Sequence, residues 1–469
     1  MPRRAIRFAA GLLAAGLAIL PAAAQQNAPE YLRAIAAGYK ASFICSNRFN
    51  GGIDPARTAA DDLQGTYPEL NPLLPMLTAE LDETNRRVTV RFADSLPPRV
   101  AAWRPHLGCA LLPIGAAPST AAQLPRLNDE PLDLATLDAR PWPMGDRNAN
   151  ARPRGDVRAL ERVVTNAFDR RTYGQGSETT ALLVVQDGRI VAERYRPDFN
   201  LHTSQRTWSV AKSIAGTVIG AAVQQGLVDV NVPAAVPEWQ RPGDPRQRIT
   251  TDHLLRMASG LHSDHPGNRT DALYFGGLSV GEEAASWPVV APPDTRFRYA
   301  NNDIVLAIRG LQRRLGDGED SRAFPFRALF WKIGMTRTVP ETDWQGHFVM
   351  SSQVWTSARD LARLGLLYAQ NGMWKGERIL PEGWVDYVRR QGPAQPATGD
   401  RYGASWWMFA PDKNLPADAI LANGNRGQYV VVIPSRRIVV VRRGFDRVGM
   451  GFDPAALTRD VLAALGDRE

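Results

Sequence analysis

Lysine is scarce in this sequence, although cations are not. Of its 56 Lys and Arg residues only five are lysines, which leaves 51 arginines (56 − 5). One of the five, Lys212, stands inside the apolar helical run RTWSVAKSIAGTVIGAAVQQG at residues 206–226. A purely structural cation at this place would be expected to be arginine. Lysine differs because its ammonium can lose a proton when it is buried, whereas a guanidinium effectively cannot.

Cysteine and histidine are also few. The two cysteines, Cys45 and Cys109, cannot form a metal cluster alone, and the six histidines show neither HExxH nor HxH spacing. His262 and His265 form a weak pair that is more typical of a surface loop than of a ligand set. We therefore expect no metal and no other cofactor. In an oxidising compartment the cysteines would form one disulfide, and the alternative is two unpaired buried thiols.

Long apolar runs are missing after the N-terminus. There, MPRRAIRFAAGLLAAGLAILPAAAQQ joins a positive start (Arg3, Arg4 and Arg7), an apolar stretch and a small-residue cleavage site before Gln25. This order predicts a signal peptide over residues 1–24. The alternative is a transmembrane anchor, but the apolar part is short for a bilayer span. We expect a periplasmic or secreted protein with no stable membrane anchor once the signal is removed.

An excess of charge able to attract nucleic acid is missing as well. The net charge of +8 falls to +5 (8 − 3) without the three arginines of the predicted signal, and the remaining cations are scattered. Nucleic-acid-binding chains instead group their cations on one face or in one run. This charge balance is compatible with an enzyme that acts on a small molecule.

The pattern of the chain predicts an extension followed by a main domain. Residues 25–155 contain short strands near 88–92 and at GCALLPIG, and then a Pro-, Asp- and Arg-rich linker. The main domain, residues 156–469, opens with a helix and a hairpin turned at Asp187-Gly188. It continues with several helices and ends on the β-branched runs QYVVVIP and RRIVVVRRG and a last helix. Strands at both ends with helices between them predict an α+β fold with one antiparallel sheet.

Ser209 stands three residues before Lys212. On a helix, positions i and i+3 share a face, so these two side chains can meet. An amine desolvated by apolar neighbours favours its neutral form and can take the proton of a serine hydroxyl, which activates the serine as a nucleophile. The spacing therefore indicates a Ser–Lys catalytic pair. The alternative is a lysine that extends to water beside a capping serine.

Two further segments carry polar groups suited to the same chemistry. PPDTRFRYANND places Tyr299 two residues before Asn301; a phenol can relay a proton and an amide can bind a substrate carbonyl. The alternative is a core tyrosine with a capping asparagine. In LANGNRGQYVVVIP, Gly424 and Gly427 precede a strand, where bare backbone lets a ligand approach or is simply a turn. Four tryptophans are candidates to line an acyl pocket or to pack in the core: Trp208, Trp287, Trp406 and Trp407.

Taken together, SVAK, YAN and NRGQ resemble the three motifs of serine β-lactamase-related and penicillin-binding-type hydrolases: SxxK, YxN and a Lys- or His-led triplet ending in Gly. The segments TDHLLRMASGL, SARDLARLG, WKGERILPEGWV and YGASWW are similar to that family too. The resemblance covers about residues 155–469. It implies an antiparallel sheet flanked by helices, with a mostly helical second lobe inserted between the first and last strands of the sheet.

The resemblance also implies roles for individual residues. Ser209 would be the acyl-accepting nucleophile, Lys212 its general base, and Tyr299 a proton-transfer group, while Asn301 would contact the substrate. With Gly427 as the last residue of the triplet, the backbone N–H groups of Ser209 and Gln428 would form the oxyanion hole. Arg426 would then supply a substrate-binding charge.

The third motif departs from the family pattern, because Asn425-Arg426-Gly427 stands where penicillin-recognising members have Lys-Thr-Gly. This form resembles the branch that includes 6-aminohexanoate-dimer hydrolase and related esterases. We therefore expect an exported serine hydrolase acting on a small-molecule amide or ester. The alternatives are a β-lactamase or D-alanyl-D-alanine carboxypeptidase, and a catalytically inert module that binds cell-wall peptides.

Overall fold

The computed structural model describes residues 29–65, 67–263 and 270–466. The predicted signal peptide and His265 lie outside these ranges. Inside them, no helix is both long enough and apolar enough to cross a bilayer.

The N-terminal extension is built on one long helix that packs against a small sheet. Its elements are α1 Pro29–Gly51, α2 Pro55–Asp61, β1 Ala79–Asp82, β2 Arg87–Val90, β3 Arg99–Arg104, β4 Gly108–Leu111 and α3 Leu134–Asp138. The four strands form an antiparallel sheet in chain order, with α1 in contact with β2, β3 and β4. Cys45 on α1 forms a disulfide with Cys109 on β4, which confirms the predicted bridge.

The main domain begins at Asp156, whose side chain caps the first helix by accepting a hydrogen bond from Ala159 N. Its helices are α4 Val157–Asn166, α5 Val210–Gln224, α6 Thr251–Leu255, α7 Asp271–Tyr274, α8 Val280–Glu283, α9 Asn301–Arg314, α10 Glu319–Pro325, α11 Ala358–Ala369, α12 Trp384–Arg389 and α13 Pro454–Leu465. Its strands are β5 Thr179–Gln186, β6 Arg189–Tyr195, β7 Gln205–Arg206, β8 Val339–Pro340, β9 Val354–Thr356, β10 Met373–Trp374, β11 Glu377–Arg378, β12 Arg401–Tyr402, β13 Trp407–Met408, β14 Ile420–Gly424, β15 Gln428–Ile433 and β16 Ile438–Gly444.

Seven of these strands form the central antiparallel sheet, in the order β12-β13-β14-β15-β16-β5-β6. Strands from the two ends of the domain meet where β16 pairs with β5. The β5–β6 turn has positive φ at both Asp187 (49°) and Gly188 (81°), as a two-residue hairpin turn of the primed type requires. The short strands β7, β9 and β8 form a separate sheet.

Helices cover both faces of the central sheet. The helices α4 and α13 pack together on one side, and α11 contacts β5, β15 and β16 on the other. The chain between β6 and β12 carries most of the remaining helices, and α5 at its start contacts both β14 and α9. The predicted α+β fold, with a mostly helical lobe inserted between the first and last strands of the sheet, is therefore confirmed.

The extension and the main domain share one hydrophobic core. A single buried cluster contains Phe43 of α1 and Val88 of β2 together with Ile214 of α5, Leu306 of α9 and Val430 of β15. The extension is therefore packed into the main domain.

Candidate active site

A strained turn places Ser209 at the start of α5. The chain leaves β7, passes through Thr207, and reaches Trp208 with φ of 50°, a left-handed conformation that costs a bulky residue about 1–3 kcal/mol. Ser209 follows as the N-cap residue of α5, half-buried. Its hydroxyl accepts a hydrogen bond from Lys212 Nζ at 3.0 Å, and the phenol of Tyr299 lies beside it. The turn thus presents this oxygen at the positive end of the helix dipole.

Lys212 is buried and hydrogen-bonded to three oxygens. Its Nζ donates to Ser209 Oγ at 3.0 Å, to Asn301 Oδ1 at 2.6 Å and to the carbonyl oxygen of Ser351 at 3.0 Å. None of these three partners is a carboxylate. Burial, together with the positive charge of Arg206, lowers the pKa of Lys212 to about 7. A substantial fraction of the amine is therefore neutral at neutral pH and able to accept a proton.

Tyr299 completes a triad of side chains around the hydroxyl. Its phenol lies beside Ser209, and Lys212 Nζ lies 4.8 Å from the centre of its ring. Burial raises the pKa of Tyr299 above its usual value of 10, so the phenol keeps its proton. A protonated phenol beside the nucleophile is placed to donate to a leaving group.

Asn301 lies next to the same amine. It is the first residue of α9, and its side-chain oxygen accepts the shortest hydrogen bond that Lys212 makes. The structure thus brings Ser209, Lys212, Tyr299 and Asn301 together. The role of Asn301 as a substrate contact stays a prediction.

The end of β14 approaches the backbone beside the nucleophile. A Cβ on Gly424 would overlap the carbonyl oxygen of Thr207 and lie 3.1 Å from Val210 N, so only glycine fits at this contact. The partner strand β13 pairs with β14 only at Ile420 and Leu421, so Ala422 to Gly424 extend past its end. The glycine that meets the active-site helix is therefore Gly424, which makes Ala422-Asn423-Gly424 the candidate for the family triplet.

This placement corrects the sequence-based assignment of Gly427 and Gln428. Gly427 faces Arg442 and Asp446 at the tip of the β14–β15 hairpin. Gln428 lies on β15, between β14 and β16, and its side chain is bonded to Gly444 O and Arg443 Nε inside the sheet. The residue that directly follows Gly424 is Asn425, whose N–H is the candidate to pair with that of Ser209.

Arg426 is not directed at the nucleophile, contrary to its predicted role in substrate binding. Its side chain is 2% exposed, and its guanidinium donates to Asp62 Oδ1 at 3.2 Å and to the carbonyl oxygen of Asp61 at 2.6 Å. It also donates to the carbonyl oxygens of Phe445 and Asp446. These partners lie in the extension and after β16, so the guanidinium is already engaged there.

The four tryptophans have different surroundings. Trp208 and Trp406 are buried, the first under the guanidinium of Arg206 and the second against Tyr368. Trp287 packs against the ring of His262, with 5.3 Å between the ring centres. Trp407 is half-buried, with its ring 5.4 Å from that of Tyr299, so it is the tryptophan of the four that flanks the candidate site.

Two contributors to the site carry no sequence signal of their own. Arg206 lies on β7, donates to Ser352 Oγ at 2.8 Å and helps to lower the pKa of Lys212. Ser351 offers its carbonyl oxygen to Lys212, while its hydroxyl is bonded to Tyr274 at 2.5 Å. Both residues reach Lys212 through tertiary contacts, and no sequence motif indicates such contacts.

Comparison with known proteins gives the family of this chain and the solved structures that share its fold. The Beta-lactamase family profile matches residues 164–443, which is more than half of the chain. A relative described as 6-aminohexanoate-dimer hydrolase, from Paenarthrobacter ureafaciens, is 24% identical over 332 residues, covering 63% of this chain and 80% of the relative. Among solved structures, a class C beta-lactamase matches with a TM-score of 0.52 at 12% identity, covering 66% of this chain and 97% of that one. A family VIII carboxylesterase matches with a TM-score of 0.50 at 17% identity, covering 65% and 96%.

The fold and the Ser–Lys–Tyr constellation define a hydrolase of the β-lactamase-like class. This chain belongs to the Beta-lactamase family. The match leaves out the whole extension, including α1, α2 and the four-stranded sheet.

Proposed function

We propose that this protein is an exported serine hydrolase that cleaves an amide or ester through an acyl-enzyme on Ser209. The observation that carries the proposal is the 3.0 Å hydrogen bond between a buried amine and the Ser209 hydroxyl, at a helix start beside a glycine-lined strand end. The family membership and the likeness to esterase and amide-hydrolase relatives support it.

In acylation, neutral Lys212 takes the proton of Ser209 while Oγ attacks the substrate carbonyl carbon. The carbonyl oxygen becomes an oxyanion, held by the backbone N–H groups of Ser209 and Asn425. Tyr299 donates its proton to the departing nitrogen or oxygen, and the Lys212 ammonium returns a proton to the phenol. The carbon–leaving-group bond breaks, leaving the acyl group on Ser209 and both Lys212 and Tyr299 in their starting forms.

In deacylation, water replaces the leaving group. Lys212 removes one proton from the attacking water, and the resulting intermediate collapses by breaking the bond to Ser209 Oγ. The Lys212 ammonium gives that proton to the serine oxygen, and the acid product leaves. The cycle needs only the groups already described.

The β14 edge favours a neutral substrate over a penicillin-like anion. At the triplet position the chain has Ala422 and Asn423, where penicillin-recognising members have lysine and a hydroxyl residue. The nearby Arg426 is engaged by Asp62 and by backbone carbonyls. Amides and esters without a carboxylate near the scissile bond therefore fit this edge better than β-lactams do.

The export part of the proposal rests on the sequence of residues 1–24 and on the cystine. A disulfide between Cys45 and Cys109 suits an oxidising compartment. Periplasmic or secreted localisation is accordingly the proposed location.

The test compares wild type with Ser209→Ala on a short-chain p-nitrophenyl ester, a linear amide and a chromogenic cephalosporin. We expect ester or amide turnover that falls by at least about 1,000-fold in Ser209→Ala. A fluorophosphonate probe should label wild type at Ser209, as read by peptide mass spectrometry.

The matched control is Ser213→Ala, one turn along the same helix, where the hydroxyl is bonded to Ser405 O. It should keep both turnover and labelling. Full activity of Ser209→Ala would refute the proposal. Cephalosporin turnover with no ester or amide turnover would instead favour a β-lactamase, and a chain that the probe never labels would favour an inert binding module.

A further inference from the structure

The β14–β15 hairpin is anchored from outside the family domain. Its tip, residues 425–427, joins Gly424, which touches the backbone of the active-site turn, to Gln428 on β15. The anchor is the extension, which the family match of residues 164–443 does not include. The extension therefore contacts an element that borders the nucleophile.

The contact between Arg426 and Asp62 is a buried ion pair, and the other polar atoms of both side chains are hydrogen-bonded. Arg426 and Asp62 each have a side chain only 2% exposed, and they meet at 3.2 Å. The second carboxylate oxygen of Asp62 accepts from Asn47 Nδ2 at 2.8 Å, and its backbone oxygen accepts from Tyr39 Oη at 2.7 Å. Both of these donors lie on α1. Removing either partner of such a pair leaves an uncompensated buried charge.

The anchor acts within one residue of the proposed oxyanion donor. Arg426 has φ of 59°, and its N–H donates to the side-chain oxygen of Asn425 at 2.8 Å. The direction of the Asn425 N–H is thus set by Gly424 on one side and by the held backbone of Arg426 on the other. A displacement of this donor by an ångström is enough to weaken its bond to a developing oxyanion.

We propose that Asp62 is a positioning residue for catalysis: through Arg426 it holds the hairpin tip so that the N–H of Asn425 faces the oxyanion. The extension is then a working part of the active site, although it contributes no group that touches the substrate. This inference rests on the proposed hydrolase function, in which Asn425 is an oxyanion donor.

The experiment replaces Asp62 by Asn and measures kcat and KM for an ester and for the matching thionoester, which has C=S in place of C=O. Sulfur is a weak hydrogen-bond acceptor, so a working oxyanion hole favours the oxygen substrate. We expect Asp62→Asn to lower kcat for the ester about 10-fold or more, with KM changed less than about twofold. The preference for the ester over the thionoester should fall by a similar factor.

The neighbouring residue supplies the control. The side chain of Asp61 binds Arg57 and Arg196 at 2.6 Å each and not Arg426, which contacts only its carbonyl oxygen. Asp61→Asn makes the same charge change one residue away and removes two ion pairs. Asp61→Asn should leave the ester-over-thionoester preference within about twofold of wild type, even where the loss of the two ion pairs changes the melting temperature.

Arg426→Lys serves if Asp62→Asn does not fold. It keeps a charge near Asp62 but cannot make the several carbonyl contacts of a guanidinium, so it should show the same loss of preference. A folded Asp62→Asn or Arg426→Lys with unchanged kcat and unchanged preference would overturn the inference. So would an equal loss in Asp61→Asn, which would indicate general loosening. Ester turnover that survives Ser209→Ala would instead refute the hydrolase mechanism and this inference with it.

Discussion

The use of lysine at position 212 has a physical explanation at the scale of one residue. The side chain is 1% exposed, and an arginine there would have to remain charged in the core. A lysine escapes this cost by losing its proton, and its pKa of about 7 allows the neutral form under ordinary conditions. Burial of Lys212 therefore disfavours its charged form and, for the same reason, makes the neutral amine available to accept a proton.

The pH profile of acylation tests this account. Because the pKa of Lys212 is lowered to about 7, the amine is charged and unable to accept a proton at lower pH and is neutral at higher pH. We expect kcat/KM for an ester to rise through about pH 7 and to level off above it. The measurement is a series of initial rates from about pH 5 to about pH 9, with Ser209→Ala as the blank for spontaneous hydrolysis.

Lys212→Arg gives the sharper version of the same test, since it keeps the charge and removes the titration. We expect a loss of at least about 100-fold in kcat/KM and no inflection near pH 7. The exposed Lys375 offers the same substitution elsewhere, and Lys375→Arg should behave as wild type. An active Lys212→Arg enzyme, or a wild-type rate that falls with rising pH across this range, contradicts a lysine base.

At this scale the sequence was informative because the spacing is local. The i, i+3 relation of Ser209 and Lys212 follows from helix geometry, and the structure places their polar atoms 3.0 Å apart. The neighbours that tune the amine were not predictable in this way. Arg206 and the carbonyl oxygen of Ser351 reach Lys212 through the arrangement of the small β7–β9–β8 sheet and the loop before it.

At the scale of secondary-structure elements, the site is the meeting point of a turn and a strand end. Trp208 in its left-handed conformation aims Ser209, and its ring is held under Arg206, with the guanidinium 4.0 Å from the ring centre. Gly424 brings β14 against Thr207 and Val210 at the other side of the same turn. Strain on one side and close approach on the other together fix where the Ser209 hydroxyl and the proposed oxyanion donors lie.

Gly424→Ala tests the close approach. The added methyl overlaps the carbonyl oxygen of Thr207, so the strand end or the active-site turn must move. We expect kcat to fall about 10- to 100-fold, because a small displacement of a reacting group is costly, while the protein stays folded with a stability loss of about 1–3 kcal/mol. Steady-state kinetics and thermal melting followed by circular dichroism measure the two effects.

A second glycine separates this effect from general overpacking. A Cβ on Gly365 in α11 would overlap Val439 of β16, within the core layer of the sheet. Gly365→Ala should lower the melting temperature without a matching loss of kcat. If Gly424→Ala proves fully active, the strand end does not lie where the proposed oxyanion site requires it.

Element boundaries were largely predictable, and the register of one hairpin was not. The Asp187-Gly188 turn and the two C-terminal β-branched strands follow from local patterns. In LANGNRGQ, however, two glycines precede the strand, and local sequence cannot tell which one faces another element. That choice depends on β13 beginning at Trp407, which pairs with Leu421 and leaves Ala422 to Gly424 without a β13 partner, and on the contact of α5 with β14.

At the scale of the whole molecule, the extension and the hydrolase domain form one packed body. Arg426 and Asp62 are separated by 364 positions in the chain and meet in a buried ion pair. Glu341, near β8, is a second link: its carboxylate accepts from Ser46 Oγ at 2.7 Å, Asn50 Nδ2 at 2.9 Å and Cys109 N at 3.0 Å. Contacts of this range carry no periodicity or motif, which is why the sequence of residues 25–155 indicated only short strands followed by a linker.

The disulfide ties this body together by restricting its unfolded state. The bridge joins residues 64 positions apart on α1 and β4, and the chain-entropy model assigns a loop of this size about 4 kcal/mol. We expect the double variant Cys45→Ala/Cys109→Ala to lose about 2–5 kcal/mol of unfolding free energy, measured by urea titration. Its kcat well below the melting temperature should equal that of wild type, because α1 remains packed in the shared core.

Wild type unfolded in the presence of a reductant should follow the curve of the variant. An unchanged unfolding free energy would mean that the bridge does not constrain the chain, and a lost kcat in the folded variant would mean that it also fixes the hairpin anchor held by Asp62.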